Sequence, residues 1–287
     1  MKSTVKLGIL WLMIFNLQFK TNSQNLEQTI EFADNQFALQ NYQLAVKEYQ
    51  RALFFSKGKN LDYLYQQIAH SYFINRQFDQ AIYFYELSYK TTKNDSIKNE
   101  RIFNKSQCHL LKGDYKNSIY ELMNLPDSLT VYFFDRRNFY FAVSYFGTEE
   151  FEKSESYFLT LLPENEKDGR AEIYKLFHTK KNLYRPNPNS AKILSMFLPG
   201  SGQMYTGDVK NSLNSLLITG SFVMLGILMA QEYSVFDAVL TALPWFMRYH
   251  KGGYLSAKKI AQNKRAIRRD KTYKKILEIV EASKIDR

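Results

Sequence analysis

The residue types that most often carry chemistry are sparse in this chain and do not converge. His70, His109, His178 and His250 are scattered, and no two stand at a spacing that would hold a metal. His109 takes the place that Tyr72 and Tyr145 take 37 residues before it and 36 after it, which reads as a packed core histidine. Beside it, Cys108 is the sole cysteine. No acid or sharp turn accompanies it to form an activated nucleophile, so it reads as a small buried hydrophobe. Glu149 and Glu150 adjoin a turn and read as solvated. The glycines of the PGSGQ run neither follow a strand nor lead into a Lys-Ser/Thr pair, so they form no phosphate-binding loop. The reading is a protein that is not an enzyme, with no catalytic residue, no metal and no cofactor.

The elements that position these residues divide at residues 198–207, LPGSGQMYTG. Pro199 lacks an N–H and cannot continue a helix, while Gly200 and Gly202 permit backbone angles closed to other residues. Gln203 and Tyr205 are expected to face protein or an interface rather than acyl chains. Beyond this break, residues 213–230 carry no charge and are about long enough to cross a bilayer at ~1.5 Å per residue. Residues 235–249 form a second, shorter candidate span ending in Trp245, Arg248 and Tyr249, types that favour the headgroup region. Gly226 with Ala230, and Ala238 with Ala242, place small residues four apart for close helix packing. The motif residues Pro199, Gly200, Gly202, Gln203 and Tyr205, with the following hairpin and basic run, are similar to an uncharacterised bacterial membrane domain bearing a Pro-Gly-x-Gly-Gln-x-Tyr signature. That resemblance implies no known activity.

Before the break the chain repeats itself. Small residues recur in pairs twelve apart: Ala33 with Ala45, Ala69 with Ala81, Ser106 with Ser118, and Ala142 with Ser154. Each pair returns after 36 or 37 residues. An aromatic stands three before the second member (Tyr42, Phe78, Tyr115, Phe151), and Tyr49, Tyr85, Leu122 or Phe158 stands four after it. This predicts an antiparallel helix pair per repeat, with small residues where backbones approach and aromatics in the seams. The pattern resembles the tetratricopeptide repeat family, with repeats at about 26–59, 62–95, 99–132 and 135–168 and a capping helix over 170–181. The predicted fold is therefore all-α: a tetratricopeptide-like helical solenoid (24–185), a small transmembrane domain (186–250) with a broken or re-entrant segment at 191–205, and a basic C-terminal helix (251–287). The resemblance also implies a concave groove lined by the first helix of each repeat. Carried over by position, it comprises Ile30, Phe37, Gln66, His70, Phe73, Phe103, Leu110, Phe139 and Phe146, together with Asp34, Gln107 and Val143. Being aromatic and nearly uncharged, it suits an apolar or aromatic peptide segment.

The formal charge of +11 is concentrated at the ends. From residue 251 to 287 there are twelve Lys or Arg against four Asp or Glu. A juxtamembrane basic tail points to positive-inside topology and anionic lipid before nucleic acid. It is compatible with a basic amphipathic helix on the membrane surface or with a solvated tail. Lys2 and Lys6 followed by an apolar run and small or polar residues resemble a signal peptide over 1–23, or a short signal anchor. Either exports the repeats. Two later crossings would return the tail to the exported side, whereas three, counting 191–205, would leave it in the cytoplasm; the three-passage reading is preferred. The function expected is a membrane-anchored interaction scaffold of a bacterial cell envelope, in the inner membrane with the repeats in the periplasm and a partner protein or peptide in the groove. The alternative is an accessory factor whose membrane domain assists insertion or assembly of envelope proteins.

Overall fold

The computed structural model describes residues 25–285, so the signal-like segment lies outside the described residues. Every regular element among the described residues is a helix, and none is a strand. The chain divides into two compact units, one ending at Ser154 and the other beginning at Glu155.

The first unit contains α1 (Leu26–Ala38), α2 (Tyr42–Phe55), α3 (Leu61–Ile74), α4 (Phe78–Thr91), α5 (Asp95–Lys112), α6 (Tyr115–Leu122) and α7 (Val131–Gly147), and α8 (Phe151–Leu159) straddles the division. From α1 to α7 each helix packs on the next. The small residues explain how they do so. All eight, from Ala33 to Ser154, are fully buried. Where serine replaces alanine, the hydroxyl finds a partner: Ser106 and Ser118 lie 2.8 Å apart, Ser118 and Ser144 2.9 Å, and Ser154 donates to the Ala142 carbonyl at 2.8 Å. Close approach thus survives the change from Ala to Ser because no hydroxyl is left unpaired.

The turn inside each helix pair also repeats. α1, α3, α5 and α7 are each followed by one left-handed residue: Gln40, Arg76, Gly113 and Glu149. In each, the next residue's N–H reaches back to a carbonyl near the end of the helix, as in Asn41 to Gln36 and Asp114 to His109. This is the 6→1 bond of a Schellman stop. Only one of the four is glycine, so the geometry is imposed by packing rather than by residue type.

The second unit contains the end of α8, α9 (Lys167–His178), α10 (Lys180–Leu183), α11 (Pro188–Phe197), α12 (Ser201–Tyr205), α13 (Val209–Glu232) and α14 (Val235–Ile285). α14 is its spine. Residues expected as a second span and a separate tail form one helix of 51 residues that runs through Pro244. Its start pairs with α13, its middle with α11 and α12, and it also meets α9 and α10. Ala257, Ala261, Ile276 and Val280 are buried, so the tail spends an apolar face on protein rather than leaving it all to lipid. The linker between α10 and α11 is short, residues 184–187. Pro188 opens α11, where its missing N–H costs nothing, and the Asn187 side chain caps the helix by accepting from Asn189 and Ser190.

α13 is the one helix among the described residues long and apolar enough to cross a membrane. Leu213, Leu217, Val223, Met224 and Leu228 all stand exposed on it.

Candidate functional site

In the first unit the structure separates the residues expected to line one groove. Phe103 is fully buried, stacked on Phe133 at 5.7 Å and edge-on to Tyr140, with the Arg136 guanidinium over its face. It offers no surface to a ligand, which corrects the sequence reading: the bulky residues of α7 close over it. Gln66 is tied up by Arg101, which donates to its Oε1 at 2.5 Å and to Ser88 Oγ at 2.8 Å. Ile30 packs against the core around Ala33. Asp34 accepts from the hydroxyls of Tyr49 (2.6 Å) and Tyr63 (2.7 Å), a bond that joins successive pairs.

Phe37, Phe73 and Phe146 also serve the turns. Each meets the aromatic that opens the next helix: Phe37 with Tyr42 at 5.3 Å, Phe73 with Phe78 at 5.9 Å, and Phe146 with Phe151 at 5.3 Å. Leu110 occupies the same place in the third pair, with Tyr115 opening its second helix. What persists as partly exposed surface is a strip of rings, Tyr42, Phe37, His70, Phe73 and Phe78, each in contact with the next. Burial holds the His70 imidazole below its ordinary range, so it is neutral at neutral pH and behaves as one more ring. Phe139 and Val143 are half-buried on α7, as is Gln107 on α5.

The first unit also holds a buried lysine bridging α4, α5 and α6, which the repeat pattern did not reveal. Lys105, only 7% exposed at its side chain, binds Glu86 at 2.7 Å and Glu121 at 2.8 Å. Burial works against the charges of Glu86 and Lys105, but hydrogen bonds outweigh it, holding Glu86 below the usual carboxylate range and Lys105 above its own. Cys108 is buried and its thiol is pushed up to about 12 by desolvation, so at neutral pH it carries no thiolate. Among the described residues no cluster of His, Cys, Asp and Glu is arranged to hold a metal ion.

The second unit gathers the motif residues. Leu198 ends α11, Pro199 follows it, and Gly200 turns left-handed at φ 88°. A side chain at Gly200 would meet the Ser212 carbonyl, and one at Gly202 would collide with the Ala191 carbonyl oxygen. Both glycines are needed because α12 is pressed between α11 and α13. Gln203, 1% exposed, lies at the centre: it accepts from Ser195 Oγ at 2.7 Å and donates to the Gly253 carbonyl at 2.9 Å. Ser195 in turn accepts from the Gly202 N–H at 2.9 Å, and Ser212 donates to the Gly200 carbonyl at 2.7 Å. The Tyr205 hydroxyl accepts from the Asn187 N–H at 3.1 Å, while its ring packs on Ala191, Ala257 and Ala261. The motif is thus a clamp joining α11, α13 and α14, with its expected protein-facing residues facing protein.

Further along α14, basic side chains hold loop carbonyls. Lys264 donates to Thr206 O at 3.0 Å, Arg268 to Arg185 O at 3.2 Å, and Arg269 to Leu183 O at 2.7 Å. Ser195, Ser212, Gly253 and Lys264 were not singled out from sequence. The only local signals were the i, i+4 small residues Ala191 with Ser195 and Ala257 with Ala261, on the two helices that meet.

Where α13 leaves this clamp, a cavity of about 350 Å³ opens against α14, lined by Gln203, Asn214, Ser215, Thr219, Arg248 and Gly252 among others. No aspartate or glutamate lines it. Towards the hairpin turn, Phe222 stacks on both Trp245 (6.3 Å) and Tyr249 (5.2 Å), and Gly226 faces Ala242. The small residues thus perform the close packing expected of them. Compared with protein-family models and with curated proteins, the chain matches none.

Proposed function

We propose that this chain is a membrane-anchored interaction scaffold of a bacterial cell envelope, built as a tetratricopeptide-like solenoid on a two-pass hairpin. The observation that carries the reading is the run of apolar residues exposed along a helical hairpin in the second unit, one helix of which is long and apolar enough to cross a membrane. The first unit buries its repeated small residues and seams; the second leaves Leu213, Leu217, Met224, Leu228, Phe236 and Leu240 exposed along that hairpin. A hydrocarbon core is the solvent that such a surface suits. α13 spans ~36 Å at ~1.5 Å per residue, and the apolar start of α14 is completed if Arg248 extends to the headgroups.

The preferred topology changes from that read in the sequence. α11 and α12 lie against Ala257 and Ala261, in the basic stretch of α14, and not beside its apolar start. They therefore supply no third crossing. The linker and the basic tail share one side, which the signal-like start makes the exported side, in the periplasm if the membrane is the inner one. This runs against the positive-inside tendency of the basic tail, three of whose cations, Lys264, Arg268 and Arg269, are held at loop carbonyls. In the exported unit, the ring strip from Tyr42 to Phe78 is the surface offered to an apolar or aromatic segment of a partner.

The test uses the full-length protein in its native membrane. An export-only reporter fused after Arg287 should be active and one inserted at Tyr233 inactive; the reverse pattern refutes the topology. Crosslinking from residues flanking the ring strip should trap a protein partner that Phe37→Ala with His70→Ala releases. Trapping unchanged by that pair would place the partner elsewhere.

A further inference from the structure

The cavity between α13 and α14 is a site that the scaffold role does not use. It adjoins the stacked rings of Phe222, Trp245 and Tyr249, with Tyr249 part of its lining, where the uncharged part of the hairpin ends. Trp and Tyr concentrate at the level of lipid headgroups, so this depth is where a phosphate would lie. The lining is fitted to an anion. Arg248 contributes a guanidinium that forms no ion pair among the described residues and rests over the Trp245 ring at 5.9 Å. Asn214 adds a polar group, and no carboxylate opposes it. Gly252 keeps the wall open, since a Cβ there would meet nothing within 4 Å.

We infer that this cavity binds the phosphate of an anionic phospholipid headgroup, with Arg248 supplying the charge and Asn214 a neutral hydrogen bond. Planar guanidinium groups suit phosphate oxygens because two parallel N–H bonds can form at once. The acyl chains would then lie along the exposed leucines of α13. The inference rests on the hairpin being in the membrane, and the experiment keeps the two apart.

The full-length protein is reconstituted in nanodiscs of phosphatidylcholine with a minor share of phosphatidylglycerol, transferred to detergent and examined by native mass spectrometry. Retention of one phosphatidylglycerol in preference to phosphatidylcholine is expected, reduced at least tenfold in R248Q. G252L, which fills the cavity from a position with free space, should do the same while melting like the wild type. Retention equal in the wild type and both variants overturns the site. Displacement of the retained lipid by millimolar inorganic phosphate or glycerol phosphate would overturn a lipid source in favour of a soluble phosphate. Resistance of the wild type to alkaline carbonate extraction is measured in parallel. A chain that stays in the membrane but retains no anionic lipid refutes the site alone, whereas a chain that is extracted refutes the anchor.

Discussion

Replacing Gln203 with leucine tests whether the motif is the clamp of the second unit. Leucine has a similar volume and keeps the space filled, so the loss is confined to two hydrogen bonds. Each contributes about 1 kcal/mol net. The costs to the partners differ. Gly253 lies inside α14, where its carbonyl keeps a backbone partner, so little is added there. Ser195 is 1% exposed and its hydroxyl loses its acceptor, which adds about 1–2 kcal/mol for an unsatisfied buried group. The expected loss is therefore about 2–4 kcal/mol. The full chain in detergent micelles, with Trp11 replaced by Phe, leaves Trp245 as a fluorescent reporter within this unit. Gln262→Leu, exposed on α14, is the control and should change stability by no more than about 0.5 kcal/mol. If Gln203→Leu unfolds at the same point as the control, the clamp is not what holds α11, α13 and α14 together.

Other measurements address the remaining elements. Gly202→Ala places a methyl against the Ala191 carbonyl and should cost about 1–3 kcal/mol in the same melt, while Gly207→Ala, with open space around it but a left-handed backbone, should cost less. Lys105→Met leaves Glu86 and Glu121 facing each other and should cost about 2–3 kcal/mol, discounted from a fully buried pair because Glu86 is about a third exposed. Glu86's contribution is present above the ordinary carboxylate range and lost as pH falls through its depressed value; that of Lys105 is present below the ordinary lysine range and lost as pH rises through its elevated one. Chemical denaturation across pH should therefore show both limbs flattened in Lys105→Met. Arg76→Gly should stabilise the first unit by up to about 1 kcal/mol, since a left-handed non-glycine residue is relieved, and a loss instead would mean that the arginine side chain contributes to the turn. Cys108 should resist maleimide at pH 7.5 in the folded protein and react once denaturant is added; prompt labelling of the folded chain would contradict its burial.

Much of the local structure is legible in the residues themselves. The eight small positions, the helix pairs between them, the break at Pro199 and the apolar length of α13 all follow from periodicity and from backbone limits that act over one or two turns. The choice of partners is another matter. Gln203 donates to a carbonyl 50 residues away, and Arg269 to one 86 residues away, and nothing in either neighbourhood names the other end. Periodicity likewise marks one face of α5 as apolar but not whether a later helix covers it; α7 does, so Phe103 became core while Phe37 and Phe73 kept part of their surface. The same holds for residues 191–205. Their composition is compatible with a membrane passage, and the break itself is dictated by Pro199 and Gly200. Only the packing of α11 on Ala257 and Ala261 decides that they lie beside the basic part of α14. Sequence specifies which surfaces must be hidden, because that depends on side-chain type and local geometry; tertiary structure decides what hides them, because that depends on which distant surfaces the chain brings within van der Waals reach.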